Sequence, residues 1–183
     1  GNSLDVDTRW KKIMMIGVKL MRVCIDKAKQ KHELVIVRNV IGNHDEQSSI
    51  MLSIALSMFY ENDPRVKIET SPSPFWCYQF GKVLIATNHV DNVKPKDLVM
   101  LMANDFNKEW GSTTHRYWYI GHIHQLKQHE FPGCVVESFR TLAAKDAWHN
   151  SMGYRSGRDM YCIVHHKEYG EICRHRFDIN MLS

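Results

Sequence analysis

Apolar and polar positions follow two different patterns along this chain, one typical of helices and the other of strands. Apolar residues at helical spacing over residues 10–28, with lysines and arginines between them, predict a first helix. Residues 34–41 form an apolar run broken only by Arg38 and Asn39, as expected of a strand covered on both faces. Residues 47–60, rich in Met, Leu and Ile, predict a second helix.

Strands dominate the second half of the predicted fold. Two of them, over residues 75–80 and 83–87, are joined by the hairpin turn Gly81-Lys82, and Pro95 opens a third helix that runs to residue 110. Further short strands are predicted over residues 125–131, 135–139, 160–164 and 172–177, with a helix or loop over 146–154. This mixture predicts an α/β fold of two sheets packed face to face with helices outside. No repeat or linker interrupts it, so we predict a single domain over residues 1–183.

Composition narrows the class of protein. With 183 residues the chain can bury a sizeable core, and no apolar run approaches the length of a membrane span. The net charge of +4 permits a phosphate-bearing partner without indicating one. Five cysteines, never spaced as C-x-x-C, argue against a disulfide framework or zinc knuckle and favour a reducing cytoplasm.

Candidate chemistry lies directly after three apolar runs. Gly42-Asn43-His44-Asp45 follows the first, His89 follows the predicted hairpin, and Gly121-His122-Ile123-His124 follows the run from Tyr117 to Ile120. Donors from separate strand ends indicate a metal site assembled by the fold. Its mixture of His nitrogen with amide and carboxylate oxygen favours Mn²⁺, Zn²⁺ or Fe²⁺ over Ca²⁺.

Each of these motifs also has an ordinary structural interpretation. Asn43 or Asp45 would serve equally well as the N-cap of the following helix. His89 alone is more typical of a structural histidine. His122 and His124 are the stronger pair, because residues two apart in an extended segment point the same way, and the apolar residues before them argue against an exposed strand.

Taken in this order, Gly-Asn-His-Asp, an isolated His and Gly-His-x-His resemble the calcineurin-like metallophosphoesterases over residues 34–124. The stretches Val136 to Thr141 and Gly153 to Arg158 are similar to phage and prophage members of that family, which are often described as DNA repair exonucleases. The resemblance implies an αββα sandwich with two divalent metals, Mn²⁺ first among them, at the strand ends.

The resemblance also assigns roles to individual residues. Asn43, His89 and His122 match ligands of the second metal, and His124 matches a ligand of the first. His44 matches the histidine that stabilises the attacked phosphate and helps to protonate the leaving oxygen. A metal-bound hydroxide would attack phosphorus in line, which predicts phosphodiester hydrolysis, with DNA as the expected substrate.

The chain also departs from this family. The expected Asp-x-His is missing before Gly42, and Gly1-Asn2-Ser3-Leu4-Asp5 carries Asn where Gly-Asp-x-x-Asp has its bridging Asp. Because no strand precedes this match and it lies at a cut end, we interpret it as coincidence. We therefore expect an N-terminally incomplete, cut or processed domain that lacks its first strands. Without the bridging carboxylate we expect at most one metal, with Asp45 or Asp91 as further oxygen donors, and weak or absent activity. Val90, where the family commonly has Gly, is expected to crowd the metal pocket.

Three alternatives stay open. The chain is either an enzyme domain, a degenerate binding module that keeps the fold and at most one metal, or a small-molecule phosphatase or cyclic-nucleotide phosphodiesterase on the same scaffold. Missing strands would expose a sheet edge or an apolar patch and so favour self-association. A set of basic and aromatic residues after the site predicts either a phosphate-binding rim or an ordinary solvated loop, and we favour the loop. Its members are Arg140, Lys145, His149, Tyr154, Arg155 and Arg158.

Overall fold

Helices and strands alternate in the first part of the molecule, and strands dominate the second. The structure, a computed structural model, describes residues 9–91, 93–143 and 157–182. Within these residues the helices are α1 (Trp10–Lys29), α2 (Glu46–Phe59), α3 (Pro95–Asp105), α4 (Asn107–Ser112) and a 3-10 turn (Ile179–Leu182). The strands are β1 (Val35–Arg38), β2 (Val66–Glu69), β3 (Trp76–Phe80), β4 (Val83–Asn88), β5 (His115–Ile120), β6 (Lys127–Phe131), β7 (Cys134–Ser138), β8 (Asp159–His166) and β9 (Gly170–Asp178). The predicted α/β class is confirmed, with several sheets flanked by helices.

Most predicted elements are confirmed to within a few residues. The predicted helix over residues 95–110 is wrong in its continuity, because Phe106, with φ −119° and ψ 45°, leaves the helical conformation and separates α3 from α4. The predicted helix or loop over residues 146–154 lies outside the described residues. Within the described part of the chain, no helix has the length and apolar character needed to span a membrane.

Contacts divide the chain into two compact units, Gly1–Ser73 and Pro74–Ser183. In the first unit, β1 and β2 pair in parallel with Val35 opposite Val66. Val37 and Val66 pack with Ile25 of α1 and Leu56 of α2 in one apolar core. The prediction that both units form a single domain stays a prediction.

A five-stranded sheet organises the second unit, in the order β3-β4-β5-β7-β6. Strands β4, β5 and β7 run parallel in its centre, and β3 and β6 lie antiparallel at its edges. The predicted hairpin of β3 and β4 is confirmed, and its turn uses Gly81 at φ 58°, a left-handed conformation that favours glycine. Because β4 and β5 are parallel neighbours, their carboxyl ends meet at the same edge of the sheet.

One face of this sheet packs against helix α3. Trp118 and Val136 of the sheet share an apolar core with Leu98 and Met102 of α3. The indole Nε1 of the buried Trp118 donates a hydrogen bond of 2.9 Å to the carbonyl oxygen of Leu98, so its polar atom is satisfied inside the core. This packing fixes the position of the strands that carry the candidate site.

The opposite face of the sheet packs against the antiparallel hairpin of β8 and β9. The Tyr119 hydroxyl lies 2.8 Å from Nε2 of His165, and the guanidinium of Arg174 pairs with the buried carboxylate of Glu137. Burial is the main reason why the pKa of Tyr119 is raised and that of His165 is lowered. A helix, a sheet and a second small sheet thus form successive layers in this unit, and the αββα sandwich remains a prediction.

Candidate metal centre

Two of the predicted ligand histidines follow neighbouring parallel strands. The last residue of β4, Asn88, is the register partner of Ile120, the last residue of β5. His89 comes directly after the first strand, and His122 comes two residues after the second. The sheet topology therefore places both residues at one edge, where ligand sites of parallel sheets commonly form.

The imidazoles of His89 and His122 are in direct contact. Nε2 of His89 lies 3.3 Å from Nδ1 of His122, and the ring centroids are 5.0 Å apart at an interplanar angle of 74°. Two nitrogens bound to one ion at about 2.1 Å, at angles between octahedral and tetrahedral, would be about 3.0–3.4 Å apart. The observed spacing therefore fits two ligands of one divalent metal as well as it fits a hydrogen bond between the two rings.

The backbone around these histidines is unusual. Val90, His122 and His124 have φ values of 68°, 63° and 53°, in the left-handed region that residues with a Cβ seldom adopt. Such conformations cost about 1–3 kcal/mol each and are concentrated at functional sites. The most unfavourable case is Val90, because its side chain is β-branched.

Val90 is held in place by its core packing and by a buried asparagine. The Val90 side chain is 8% exposed and belongs to the apolar core between the sheet and α3. Its N–H donates a hydrogen bond of 2.6 Å to Oδ1 of Asn88, and Nδ2 of the same asparagine donates to the carbonyl of Pro74 at 3.0 Å. We expected the Val90 side chain to crowd the metal pocket. It packs into the apolar core instead and anchors the turn there.

Asn88 is a positioning residue that the sequence pattern did not identify. It is buried, and its backbone carbonyl accepts a hydrogen bond of 3.2 Å from the N–H of Gly121, which ties the two strand ends together. The sequence signal that could have identified Asn88 is its place as a polar residue at the end of an apolar run. A Cβ on Gly121 would lie 3.0 Å from Nδ1 of His89, a contact so tight that the imidazole would have to shift by a few tenths of an ångström.

The turn that carries His122 and His124 is not extended. The N–H of Ile123 donates to the carbonyl of Gly121 at 2.7 Å, and both histidines are left-handed. The argument that both imidazoles point the same way because they lie two apart in an extended segment is therefore wrong. The structure brings His89 and His122 into contact, and the assignment of His124 stays a prediction.

Asn43 and His44 lie in the first unit, in the exposed segment between β1 and α2. Asp45 occupies the N-cap position of α2, yet its side chain makes no capping bond; Oδ1 accepts instead from the N–H of Gly42 at 2.8 Å. The capping interpretation is thus confirmed for the position of Asp45 and wrong for its side chain. His89 and His122 belong to the second unit, and the ligand role of Asn43 and the catalytic role of His44 stay predictions.

The two described arginines of the predicted rim are bound within the chain. Arg140 pairs with the buried carboxylate of Asp159 at 2.6 Å, and Arg158 donates from Nε to the carbonyl of Leu142 at 2.9 Å. The choice between a solvated loop, which we favoured, and a phosphate-binding rim stays a prediction. The other members of the rim, and the match at residues 1–5, lie outside the described residues.

Among residues 9–91, 93–143 and 157–182, no three His, Cys, Asp or Glu side chains already form a group that could hold a metal. The predicted ligands of the second metal include the side-chain amide of Asn43, and asparagine is not one of these four residue types. Comparisons of the chain with protein families, with curated proteins and with solved structures gave no match. The family resemblance therefore stays a hypothesis that rests on the motifs.

Proposed function

We propose that this chain carries part of a divalent-metal centre for phosphodiester hydrolysis. The observation that carries the proposal is the 3.3 Å contact between Nε2 of His89 and Nδ1 of His122 at the ends of adjacent parallel strands. The left-handed backbone on either side of the contact supports it, since strain of this kind is retained where function requires a particular geometry.

The two histidines would hold one divalent ion, with Mn²⁺ expected first and Zn²⁺ or Fe²⁺ as alternatives. A divalent ion at this position would supply Lewis-acid stabilisation of charge on a phosphoryl oxygen. The resemblance assigns an amide-oxygen ligand to Asn43, a first metal position to His124 and protonation of the leaving oxygen to His44. These three roles and DNA as the substrate come from the sequence resemblance, whereas the cytoplasm as the compartment comes from the cysteine usage.

Manganese-dependent hydrolysis of bis-p-nitrophenyl phosphate tests the activity. We expect a weak rate that His44→Ala lowers by about 100-fold or more if this residue is a general acid. His32→Ala, which alters an exposed histidine of the same unit, is the matched control and should leave the rate unchanged. A rate that survives the loss of His44 would reject its catalytic role.

Metal binding tests the centre separately from the chemistry. Titration with Mn²⁺ should show at most one ion bound at this centre, with affinity lost in both His89→Ala and His122→Ala. His129→Ala, at an exposed position of β6, is the control. Unchanged binding in the first two variants would reject the centre. DNA cleavage should then be compared at low and moderate salt, because phosphate contacts are screened by salt.

A non-catalytic binding module that keeps one metal is the second candidate. The internal pairing of Arg140 with Asp159 favours it, since that guanidinium already has a carboxylate partner. Normal metal affinity without hydrolysis of any phosphodiester tested would select this candidate. A small-molecule phosphatase would instead cleave small phosphoesters and leave DNA intact.

A further inference from the structure

The outer face of the β8–β9 hairpin carries three soft metal donors. Alternate residues of the hairpin point inward, where Arg176 pairs with Asp159, so the residues between them share the outer face. On that face Cys162 is the register partner of His175, and Cys173 lies two residues before His175 on the same strand. All three side chains are exposed.

Two of these donors already have the spacing of metal ligands. Sγ of Cys173 lies 3.4 Å from Nε2 of His175. A thiolate and an imidazole bound to the same tetrahedral Zn²⁺, at about 2.3 Å and 2.1 Å, would be separated by about 3.6 Å. The pair therefore needs almost no rearrangement to chelate one ion.

The third donor comes from the opposite strand. Residues directly opposite in an antiparallel pair have Cβ atoms about 4.5–5.5 Å apart, which places the thiol of Cys162 within one side-chain rotation of the pair. Rotation of an exposed side chain takes picoseconds to nanoseconds and costs little. Rotation of Cys162 would therefore complete a group of three donors that the described residues do not already form.

The other cysteines of this unit are unsuited to such binding. Burial raises the pKa of Cys77 to about 11 and that of Cys134 to about 12, which opposes the thiolate form that metals bind. Cys162 and Cys173 on the hairpin are exposed instead. Thiolate and imidazole donors together favour Zn²⁺ over the hard cations Mg²⁺ and Ca²⁺.

We propose that Cys162, Cys173 and His175 bind one Zn²⁺ ion on the outer face of the hairpin, with the fourth position open to water or an external ligand. Binding releases one proton from each thiol. The ion joins β8 to β9 near the middle of the hairpin, and the inward ion pairs of Arg174 and Arg176 hold the strands in register beneath it. This site is separate from the proposed histidine centre and does not depend on it.

Titration of the reduced, metal-free chain with Co²⁺ tests the proposal. Co²⁺ is a spectroscopic substitute for Zn²⁺, and its bonds to thiolate give a charge-transfer absorption that imidazole ligands alone do not produce. We expect this absorption to saturate at one Co²⁺ per chain and to disappear when Zn²⁺ is added. Cys162→Ser and Cys173→Ser should each weaken or abolish it, and His175→Ala should weaken the affinity.

Two controls keep the test specific. Cys24→Ser alters an exposed cysteine of α1 and should retain the full absorption. His122→Ala removes a ligand of the proposed histidine centre and should also retain it, so failure of one proposal is distinguishable from failure of the other. Circular dichroism confirms that the serine variants fold.

Three results would overturn the proposal. The first is the absence of a thiolate absorption in the folded, reduced protein, and the second is its full persistence in both hairpin serine variants. The third is a saturation point of one ion per two chains, which would mean that the cysteines of different molecules share the metal.

Discussion

The left-handed backbone conformation of Val90 can be tested by comparing alanine and glycine at this position. The two substitutions differ chiefly in how readily each residue adopts a positive φ. Val90→Ala and Val90→Gly both remove most of a side chain that is 8% exposed, so both destabilise the protein by about 2 kcal/mol or more through lost burial and the cavity left behind. At φ 68° alanine also carries the cost of the left-handed conformation, about 1–2 kcal/mol, which glycine avoids.

Val136 provides the matched control for this comparison. It is 1% exposed in the same apolar core and lies in the regular strand β7. At an ordinary strand position glycine is about 0.5–1 kcal/mol less stable than alanine, because it loses more conformational freedom on folding. At each site, the free energy of unfolding of the alanine variant is subtracted from that of the glycine variant. We expect this difference to be about 1–2 kcal/mol more positive at Val90 than at Val136.

Urea unfolding of the four variants measures this difference from their free energies of unfolding. A difference between glycine and alanine that is the same at both sites would mean that the backbone at Val90 is not strained. The argument that strain marks the candidate centre would then fail, whatever metal the protein binds.

Three further predictions concern the second unit. Gly121→Ala brings a Cβ to 3.0 Å from Nδ1 of His89 and should lower metal affinity at the proposed histidine centre by about 10–100-fold, as measured by titration calorimetry. Burial lowers the folded-state pKa of His165, so the unfolded chain takes up its proton first, and the free energy of unfolding should fall as the pH drops below about 6.5. This part of the pH dependence should be absent in His165→Gln. Arg174→Met leaves the carboxylate of Glu137 buried without its partner and should cost about 3 kcal/mol in urea unfolding.

Each of these has its own control and its own contrary result. Gly111→Ala, where a Cβ meets nothing within 4 Å, should leave metal affinity unchanged, and an equal loss in both glycine variants would contradict the argument from close approach. An identical pH dependence in wild type and His165→Gln would show that this imidazole is not the titrating group. Recovery of most of the lost stability when Glu137→Leu is added to Arg174→Met would confirm that the cost comes from the unpaired charge.

The sequence pattern predicted most elements because helical and strand periodicity are local properties. It failed within the predicted third helix, where Phe106 leaves the helical conformation to contact the apolar core. It also failed in the turn after β5, where an extended segment was assumed and His122 and His124 are left-handed. The first failure lies where Phe106 packs against the apolar core, and the second lies in a turn closed by the local hydrogen bond from Ile123 to Gly121.

Local sequence determined which residues end the strands, and it thereby selected His89 and His122 as candidate ligands before any strand order was known. Tertiary structure decided that β4 and β5 are parallel neighbours in register, which brings those two imidazoles to 3.3 Å. It also decided that Cys162 lies opposite His175, a pairing that no sequence spacing reveals. The reason is physical: side-chain periodicity is encoded within a few residues, whereas strand pairing depends on contacts between segments far apart in the chain.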